Sequence, residues 1–177
     1  MLPTPSTAAA WDPPLSGEMD LVITRDGRWI HEGRPIERQR MVELFASVLR
    51  READGHYYLV TPYEKWRIQV EEAPFIAVAL DVTEAPDIPP VLTFTTNLGE
   101  TIALDADHPL EVVYQGDEPR PYILVRPGLW ALLSRPVFLA LAERAEWVED
   151  PAGPWYGVRS RGQLFFLGPG AEDTAAP

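Results

Sequence analysis

The segment from His56 to Leu80 constrains the fold of this chain more than any other. It contains three short apolar runs, which are separated by two turns that carry Pro62 and Pro74. In the middle run the apolar residues fall on every second position, at Trp66, Ile68 and Val70. A period of two places one face of a strand on a core and the other toward water or a neighbour. The segment therefore predicts three strands of a sheet.

Two amphipathic helices are predicted to cover this sheet. One runs from about Ile36 to Arg51 and the other from Ser134 to about Trp147, and each begins beside a proline. A proline at the first helical position is favourable because its missing N–H would have no helical partner anyway. Apolar residues recur at helical spacing in both; they are Met41, Leu44, Phe45, Val48 and Leu49 in the first helix, and Val137, Phe138, Leu141, Ala142 and Ala145 in the second.

Further strands are predicted before and after these elements. Arg25-Asp26-Gly27 lies between two apolar runs, and Asp-Gly in that setting is a strong hairpin signal because glycine accepts positive φ. The other predicted strands follow from apolar runs between turn residues; the full set is Met19–Thr24, Arg28–His31, Val91–Thr96, Thr101–Asp105, Leu110–Tyr114, Tyr122–Arg126, Leu129–Leu133, Trp155–Arg159 and Gln163–Leu167.

The domain organisation is predicted from proline-rich segments. Asp81–Pro90 is acidic and rich in proline, which is typical of a connection between two halves. We therefore expect subdomains at residues 17–81 and 82–168, with a disordered arm at residues 1–16 and a disordered tail at residues 169–177. Within the arm, Trp11 is the residue expected to contact the fold.

A weak internal repeat relates the two halves. Arg34-Pro35-Ile36 and Arg135-Pro136-Val137 lie 101 residues apart, and each is predicted to follow a strand and to open a helix. Downstream, Gly55–Val60 corresponds to Gly153–Val158 at nearly the same offset. The pattern suggests a duplication, with a chance match as the alternative.

Composition disfavours nucleic-acid binding and excludes several kinds of site. The net charge is −12, from 15 basic and 27 acidic side chains, and such a field repels phosphate backbones. The chain has no cysteine, so disulfides, thiolate nucleophiles and Cys-ligated zinc are excluded. No apolar run approaches the roughly 18 residues of a membrane helix, and no leader is apparent. We expect a cytoplasmic protein that binds no membrane.

Arg34 and Arg135 are candidate functional residues because both break a local rule. A cation at a helix N-terminus faces the positive end of the helix dipole and replaces a favourable cap, at a cost of about 1 kcal/mol. One explanation is an ion pair with a carboxylate such as Glu64 or Glu71, since Arg forms good bidentate pairs. The other is that the arginines anchor an anionic ligand beside the helix N–H groups.

No pattern in the chain predicts a catalytic centre. Glu71 and Glu72 are expected to point to opposite faces of a strand, which disfavours a catalytic pair. Lys65 is interpreted as a solvated lysine. The three histidines lack the spacing of a zinc site, and no nucleophile elbow, dinucleotide fingerprint or phosphate loop is present. We predict no cofactor, no metal and no catalytic residue.

Several motifs give the chain a family resemblance over roughly Asp20–Leu167. They include Gly33-Arg34-Pro35-Ile36, Leu44–Arg50, Thr61–Lys65, Val70–Phe75, Thr96-Asn97, His108-Pro109-Leu110, Pro121-Tyr122, Val125-Arg126 and Gly128-Leu129. In these the chain resembles the bacterial domain-of-unknown-function family 1285. The resemblance implies a duplicated α+β core of two small domains, the second superficially similar to a pleckstrin-homology barrel, with a binding site where the domains meet. It implies no established activity. The chain has Glu72 where the resemblance leads us to expect Asp, which argues against any role that needs the shorter carboxylate.

Together these observations predict an α+β protein of two related subdomains, each with a curved antiparallel sheet and one helix. The predicted function is non-catalytic: a regulatory or signalling module that holds a small anionic ligand or a protein segment between its domains. The residues predicted to form the site are Arg34, Glu64, Glu71, Tyr122, Arg126 and Arg135. Two alternatives remain open, an enzyme that uses the carboxylates and a nucleic-acid binder whose arginines form one basic stripe.

Overall fold

The computed structural model describes residues 10–170, which form fifteen strands and two helices. The chain divides into two compact units between Pro74 and Phe75, and the short segment Pro127–Leu129 groups with the first unit. No helix among the described residues has the length and apolar character needed to cross a membrane.

The N-terminal unit contains a six-stranded sheet and helix α1, Gln39–Ser47. Its strands are β1 Leu15–Ile23, β2 Trp29–His31, β3 Arg34–Pro35, β4 Leu49–Arg51, β5 Tyr57–Val60 and β6 Lys65–Val70. They lie in the order β3-β2-β1-β6-β5-β4. Neighbours are antiparallel except β1 and β6, which run parallel and pair Leu15 with Lys65 and Ile23 with Val70.

The C-terminal unit begins with a second six-stranded sheet. Its strands are β7 Phe75–Ala85, β8 Ile88–Thr96, β9 Thr101–Ala103, β10 Leu110–Gln115, β11 Glu118–Arg126 and β12 Leu129–Leu133. The order β10-β11-β12-β7-β8-β9 reproduces the connectivity of the first sheet, and its first and last strands in the chain, β7 and β12, are again parallel neighbours. The same six-strand plan is thus used twice, and each sheet is mixed, so the prediction of purely antiparallel sheets is wrong.

Helix α2, Arg135–Ala142, follows the second sheet and leads into a third, three-stranded sheet. The strands of this sheet are β13 Glu146–Val148, β14 Trp155–Ser160 and β15 Gln163–Pro169, all antiparallel. Two hydrogen bonds attach it to β8: the Leu92 N–H donates to Ser160 Oγ at 3.1 Å, and the Arg161 N–H donates to the Pro90 carbonyl at 2.8 Å. The sequence repeat falls on equivalent strands: Gly55–Val60 leads into β5, and Gly153–Val158 leads into β14. Each is the middle strand of the three strands that follow a helix, β4–β6 in the first unit and β13–β15 in the second.

Both helices are shorter than predicted. Pro35 lies in β3 opposite Ile30 and not at the start of a helix, because a proline costs little in an edge strand where its missing N–H faces outward. The Leu49–Arg51 segment forms β4 instead of a last helical turn. In the second case Pro136 does lie in the first turn, but the helix ends at Ala142 and Glu146–Val148 forms β13.

The buried face of α1 also differs from the prediction. Val42 and Ala46 are buried, whereas Met41 and Leu44 are 42% and 40% exposed. Phe45 stacks on the buried Trp29 with 6.4 Å between ring centroids. The fully buried side chains of the C-terminal unit include Phe75, Phe94, Leu104, Ile123, Leu141 and Val158.

The proline-rich segment Asp81–Pro90 is not a connection between the halves. It belongs to the β7–β8 hairpin, whose turn contains Asp87 at φ 62°. The division of the chain therefore falls ahead of the predicted boundary at residues 81 and 82.

The described part of the predicted arm is ordered, since Pro13 is buried and the Trp11 carbonyl accepts a 2.7 Å hydrogen bond from Arg50 Nη1. Residues 1–9 of the arm and 171–177 of the tail lie outside the described residues.

The fold class is therefore α+β, with sheet predominating. The resemblance of the second half to a pleckstrin-homology barrel stays a prediction.

Candidate ligand-binding site

Strand β11 presents a mixed polar and apolar face. Its burial alternates strictly from Pro121 to Arg126: Pro121, Ile123 and Val125 are buried, and the residues between them are half-buried. Since side chains alternate across a strand, Arg120, Tyr122 and Arg126 share the face opposite the core. The same alternation in β12 and β7 places Leu132 and its register partner Ile76 on that face.

Helix α2 forms a wall beside this face. The Ser134 N–H donates a 3.0 Å hydrogen bond to the Ala77 carbonyl and so attaches the start of the helix to β7. Arg135, Phe138 and Leu139 then follow at helical spacing on one side of α2. Between the helix and the sheet lies a cavity of about 450 Å³, lined mostly by apolar groups; they include Ile76, Pro121, Leu132, Phe138 and Leu139.

Three charged side chains border the same cavity, namely Arg120, Arg135 and Glu118. Arg135 is exposed, and among the described residues it forms no ion pair or hydrogen bond through its side chain. The hydroxyl of Ser134, at the N-cap, makes no capping hydrogen bond. Arg135 therefore does not pair with Glu64 or Glu71, and its guanidinium is available to a ligand.

Arg126 has a different environment from Arg135, although the sequence grouped them. Its side chain is 14% exposed, its Nη2 lies 3.8 Å from the Glu100 carboxylate, and its guanidinium lies 5.3 Å from the centroid of the Phe75 ring. Burial lowers the pKa of Arg126, and the charge of Glu100 partly opposes this. Arg126 is bound within the chain, which favours a structural role.

Tyr122 lies on the same face, opposite Glu111 of β10, and is not part of the cavity lining.

The other predicted site residues lie in the N-terminal unit and do not come together. Arg34 is exposed in β3 and lines a shallow surface depression, so it does not start a helix. Glu64 Oε2 accepts a 3.4 Å hydrogen bond from Trp66 Nε1, and Glu71 Oε2 accepts a 2.7 Å bond from the Arg25 backbone N–H. Within residues 10–170, neither carboxylate pairs with Arg34, so the ion-pair explanation for the two Arg-Pro arginines is wrong.

The expected opposite orientation of Glu71 and Glu72 is also wrong. Strand β6 ends at Val70, so strict alternation no longer applies at the two glutamates. Both contact Arg25, Glu71 through the backbone N–H and Glu72 through Nε at 3.2 Å.

Lys65 is not the solvated lysine that the sequence suggested. Its side chain is 14% exposed, its Nζ lies 3.3 Å from both carboxylate oxygens of Glu52, and it lies 5.5 Å from the centroid of the Tyr58 ring. Glu52 also accepts a short hydrogen bond from Arg50. Because Glu52 holds both cations, this cluster is a structural ion-pair network.

A second cavity, of about 360 Å³, lies in the N-terminal unit and is more polar. Arg67 crosses it, with its guanidinium 3.3 Å from the Glu18 carboxylate and 3.1 Å from His56 Nδ1. Because its charged groups bind one another, it is a weaker candidate than the cavity beside α2. Among the described residues, no three His, Asp or Glu side chains are placed to hold a metal ion.

Sequence reasoning missed Arg120, Leu132 and Phe138 as site residues. Alternation from Pro119 to Arg126 indicates that Arg120 shares a face with Tyr122 and Arg126, so that signal was present in the chain. The role of Phe138 carried no such signal, because an aromatic residue on the apolar side of a helix is ordinarily part of the core.

Two family models together match most of the chain. The model described as the N-terminal domain of DUF1285, a domain of unknown function, matches residues 7–73. The model described as the C-terminal domain of DUF1285, a protein of unknown function, matches residues 74–167. The chain belongs to the DUF1285 family. The boundary between the two DUF1285 models coincides within one residue with the division between the two compact units.

A solved structure agrees with this assignment. The crystal structure of a DUF1285 family protein from Silicibacter pomeroyi DSS-3 is similar to this chain, with 40% sequence identity and a TM-score of 0.85. The similarity covers 96% of this chain and 90% of that one. The search of curated proteins finds no match to the chain.

Proposed function

We propose that the chain is a non-catalytic ligand-binding module, and that its C-terminal unit holds a small monoanion with an apolar body. The observation that carries the proposal is the cavity beside α2, in which apolar walls meet the exposed guanidinium of Arg135. Its volume of about 450 Å³ lies in the range of roughly 300–1,000 Å³ that is typical of small-molecule sites.

Charge favours a carboxylate as the acidic group. Arg135 brings to the cavity an exposed positive charge that no group of the described residues neutralises, whereas Arg120 is bonded within the chain and Glu118 brings one negative charge. A monoanion neutralises the charge of Arg135, whereas the second charge of a dianion would also face repulsion from Glu118. A guanidinium matches a carboxylate through two parallel hydrogen bonds, which makes Arg135 a suitable anchor.

The cavity is better suited to binding than to catalysis. Among residues 10–170, no histidine, lysine or aspartate lines it, and Glu118 is the only carboxylate that does. General acid–base catalysis needs groups that can exchange a proton with the substrate, commonly two with separated pKa values. A binding module of this kind fits a regulatory or signalling role, in which occupancy of the site is the output.

Thermal denaturation with three eight-carbon compounds tests the proposal. Octanoate should raise the melting temperature because a ligand at a hundred times its Kd adds about 2.7 kcal/mol of stability. Octanol lacks the charge and octyl phosphate carries more of it, so both should have smaller effects at equal concentration.

A matched pair of arginine variants locates the site. Arg135→Gln should weaken octanoate binding at least tenfold in calorimetry. Arg40→Gln should bind as the wild type does, because Arg40 is also exposed in the first turn of a helix and has no ion pair among the described residues, but it lies on α1. Equal octanoate affinities for wild type, Arg135→Gln and Arg40→Gln would overturn the proposal.

A further inference from the structure

A second apolar cavity, which is shallow and open to the surface, adjoins helix α2 in the C-terminal unit. It has a volume of about 380 Å³, and its lining includes Tyr114, Phe138, Ala142, Ala145 and Tyr156. Phe138 also lines the cavity that contains Arg135. The two cavities therefore share one side chain as a common wall.

Helical geometry places the cavities one after the other along α2. Arg135, Phe138 and Ala142 fall on one side of the helix at spacings of three and four residues. Arg135 borders the first cavity, Ala142 borders the second and Phe138 borders both. Ala142 lies seven positions after Arg135, a rise of about 10 Å along the helix axis. A ligand anchored at Arg135 in the first cavity would have Phe138 as one of its apolar neighbours.

We propose that Phe138 determines which ligands the site accepts by limiting the length of their apolar body, and that the ligand class is unbranched alkyl carboxylates. This inference rests on the proposed function, since it takes Arg135 as the anchor of the carboxylate. The apolar lining on both sides of Phe138 fits an alkyl chain, which needs no hydrogen-bonding partner. Short chains fill the first cavity, and longer chains meet the phenyl ring.

The proposal predicts that affinity rises with the number of carbons in the ligand only up to a certain length. This limit is called the break. Burying one methylene contributes about 0.8 kcal/mol, which tightens Kd about fourfold. In the wild type, each added carbon should tighten binding by this factor until the alkyl chain of the ligand reaches Phe138. Further carbons should not tighten it. In Phe138→Ala the two cavities join, so the gain should continue over several more carbons before the break.

The experiment is calorimetric titration of the folded full-length chain with saturated carboxylates from hexanoate to hexadecanoate, below their micelle concentrations. Leu139→Ala is the matched control, because Leu139 borders the first cavity and not the second. It should weaken binding at all lengths and leave the break where it is in the wild type. The double variant Phe138→Ala/Ala142→Phe refills the second cavity and should return the break to the wild-type length.

Each outcome has a distinct meaning. If no carboxylate binds the wild type, the proposed function fails. If carboxylates bind but the break lies at the same length in the wild type and in Phe138→Ala, the assignment of Phe138 is overturned and the binding site stands. Should Phe138→Ala lose its folded circular dichroism spectrum, Phe138→Leu replaces it. The leucine variant should move the break by a smaller step, and an unmoved break overturns the assignment equally.

Discussion

The Nε atom of Arg25 lies 3.2 Å from the carboxylate of Glu72, a side chain only 9% exposed, although Arg25 itself lies largely in solvent. The adjacent Glu71 accepts a hydrogen bond from the backbone N–H of the same arginine. Two consecutive glutamates after β6 therefore hold the turn between β1 and β2. The family resemblance predicted Asp at position 72, and the Glu72 found there contacts Arg25 Nε through its carboxylate.

Arg25→Ala should lower the free energy of unfolding by about 1–3 kcal/mol, because it removes the nearby cation from a carboxylate that is nine-tenths buried. Arg28→Ala is the matched control, since its partner Asp26 is exposed and surface pairs contribute less than about 1 kcal/mol. Urea unfolding measures both. Adding Glu72→Gln to Arg25→Ala should recover part of the loss, and a double variant less stable than Arg25→Ala alone would contradict this account.

Arg126→Ala and Arg135→Ala should differ in stability even though the sequence placed both in one site. Arg126 packs on the Phe75 ring and lies near Glu100, so its loss should cost about 1–3 kcal/mol. Arg135 is exposed at the positive end of α2, so its loss should leave the melting temperature unchanged or slightly raised. Melting curves without ligand decide the question, and a large loss in Arg135→Ala would show a structural partner.

Val42→Ala should destabilise the N-terminal unit more than Leu44→Ala. The first substitution removes buried methyl groups that contribute about 2 kcal/mol, whereas the second acts on a side chain that is 40% exposed and should cost below about 1 kcal/mol. Urea midpoints at equal m-values provide the comparison. The opposite ranking would mean that the face of α1 toward the sheet is the one predicted from the sequence.

Acid should weaken the fold partly through Glu52. Partial burial raises the pKa of Glu52, but the hydrogen bonds and charges of Arg50 and Lys65 outweigh this and hold the pKa below its usual range. A lowered folded-state pKa gives stability that is complete above the unfolded pKa of about 4.3 and is lost as the pH falls through the folded value. Glu52→Gln should therefore be less stable than wild type at neutral pH and lose less between about pH 5 and pH 3. Unfolding free energies over that interval test this, and parallel curves for the two proteins would refute it.

Local sequence signals predicted the strands well and the helix boundaries poorly. The Asp-Gly hairpin and the three runs between His56 and Leu80 form strands as expected, because period and turn chemistry act over a few residues. Pro35 and Pro136 share the same Arg-Pro context, yet one lies in an edge strand and the other in a helix. After Pro35 the Ile36 N–H donates to the Trp29 carbonyl and continues the β2–β3 pairing, whereas after Pro136 the chain continues as helix α2.

The candidate site was only partly predictable for the same reason. Arg135 was identified because it violates a local rule, whereas the floor of its cavity is contributed by Ile76 and Leu132, which meet through parallel pairing of β7 and β12. Single-sequence periodicity carries no information about which distant strands become neighbours. Arg34 was selected for the same reason, as a cation at a helix N-terminus. The helix predicted to begin at about Ile36 begins at Gln39, so Arg34 does not lie at that terminus.

The parallel pairing of the first and last strand in each six-stranded sheet affects how the chain folds as it is synthesised. Leu15 pairs with Lys65, and Phe75 pairs with Ala131. Neither sheet can therefore form completely until its final strand has left the ribosome. Pairings of such high contact order are slow to form, and the strands already made present unpaired edges in the meantime.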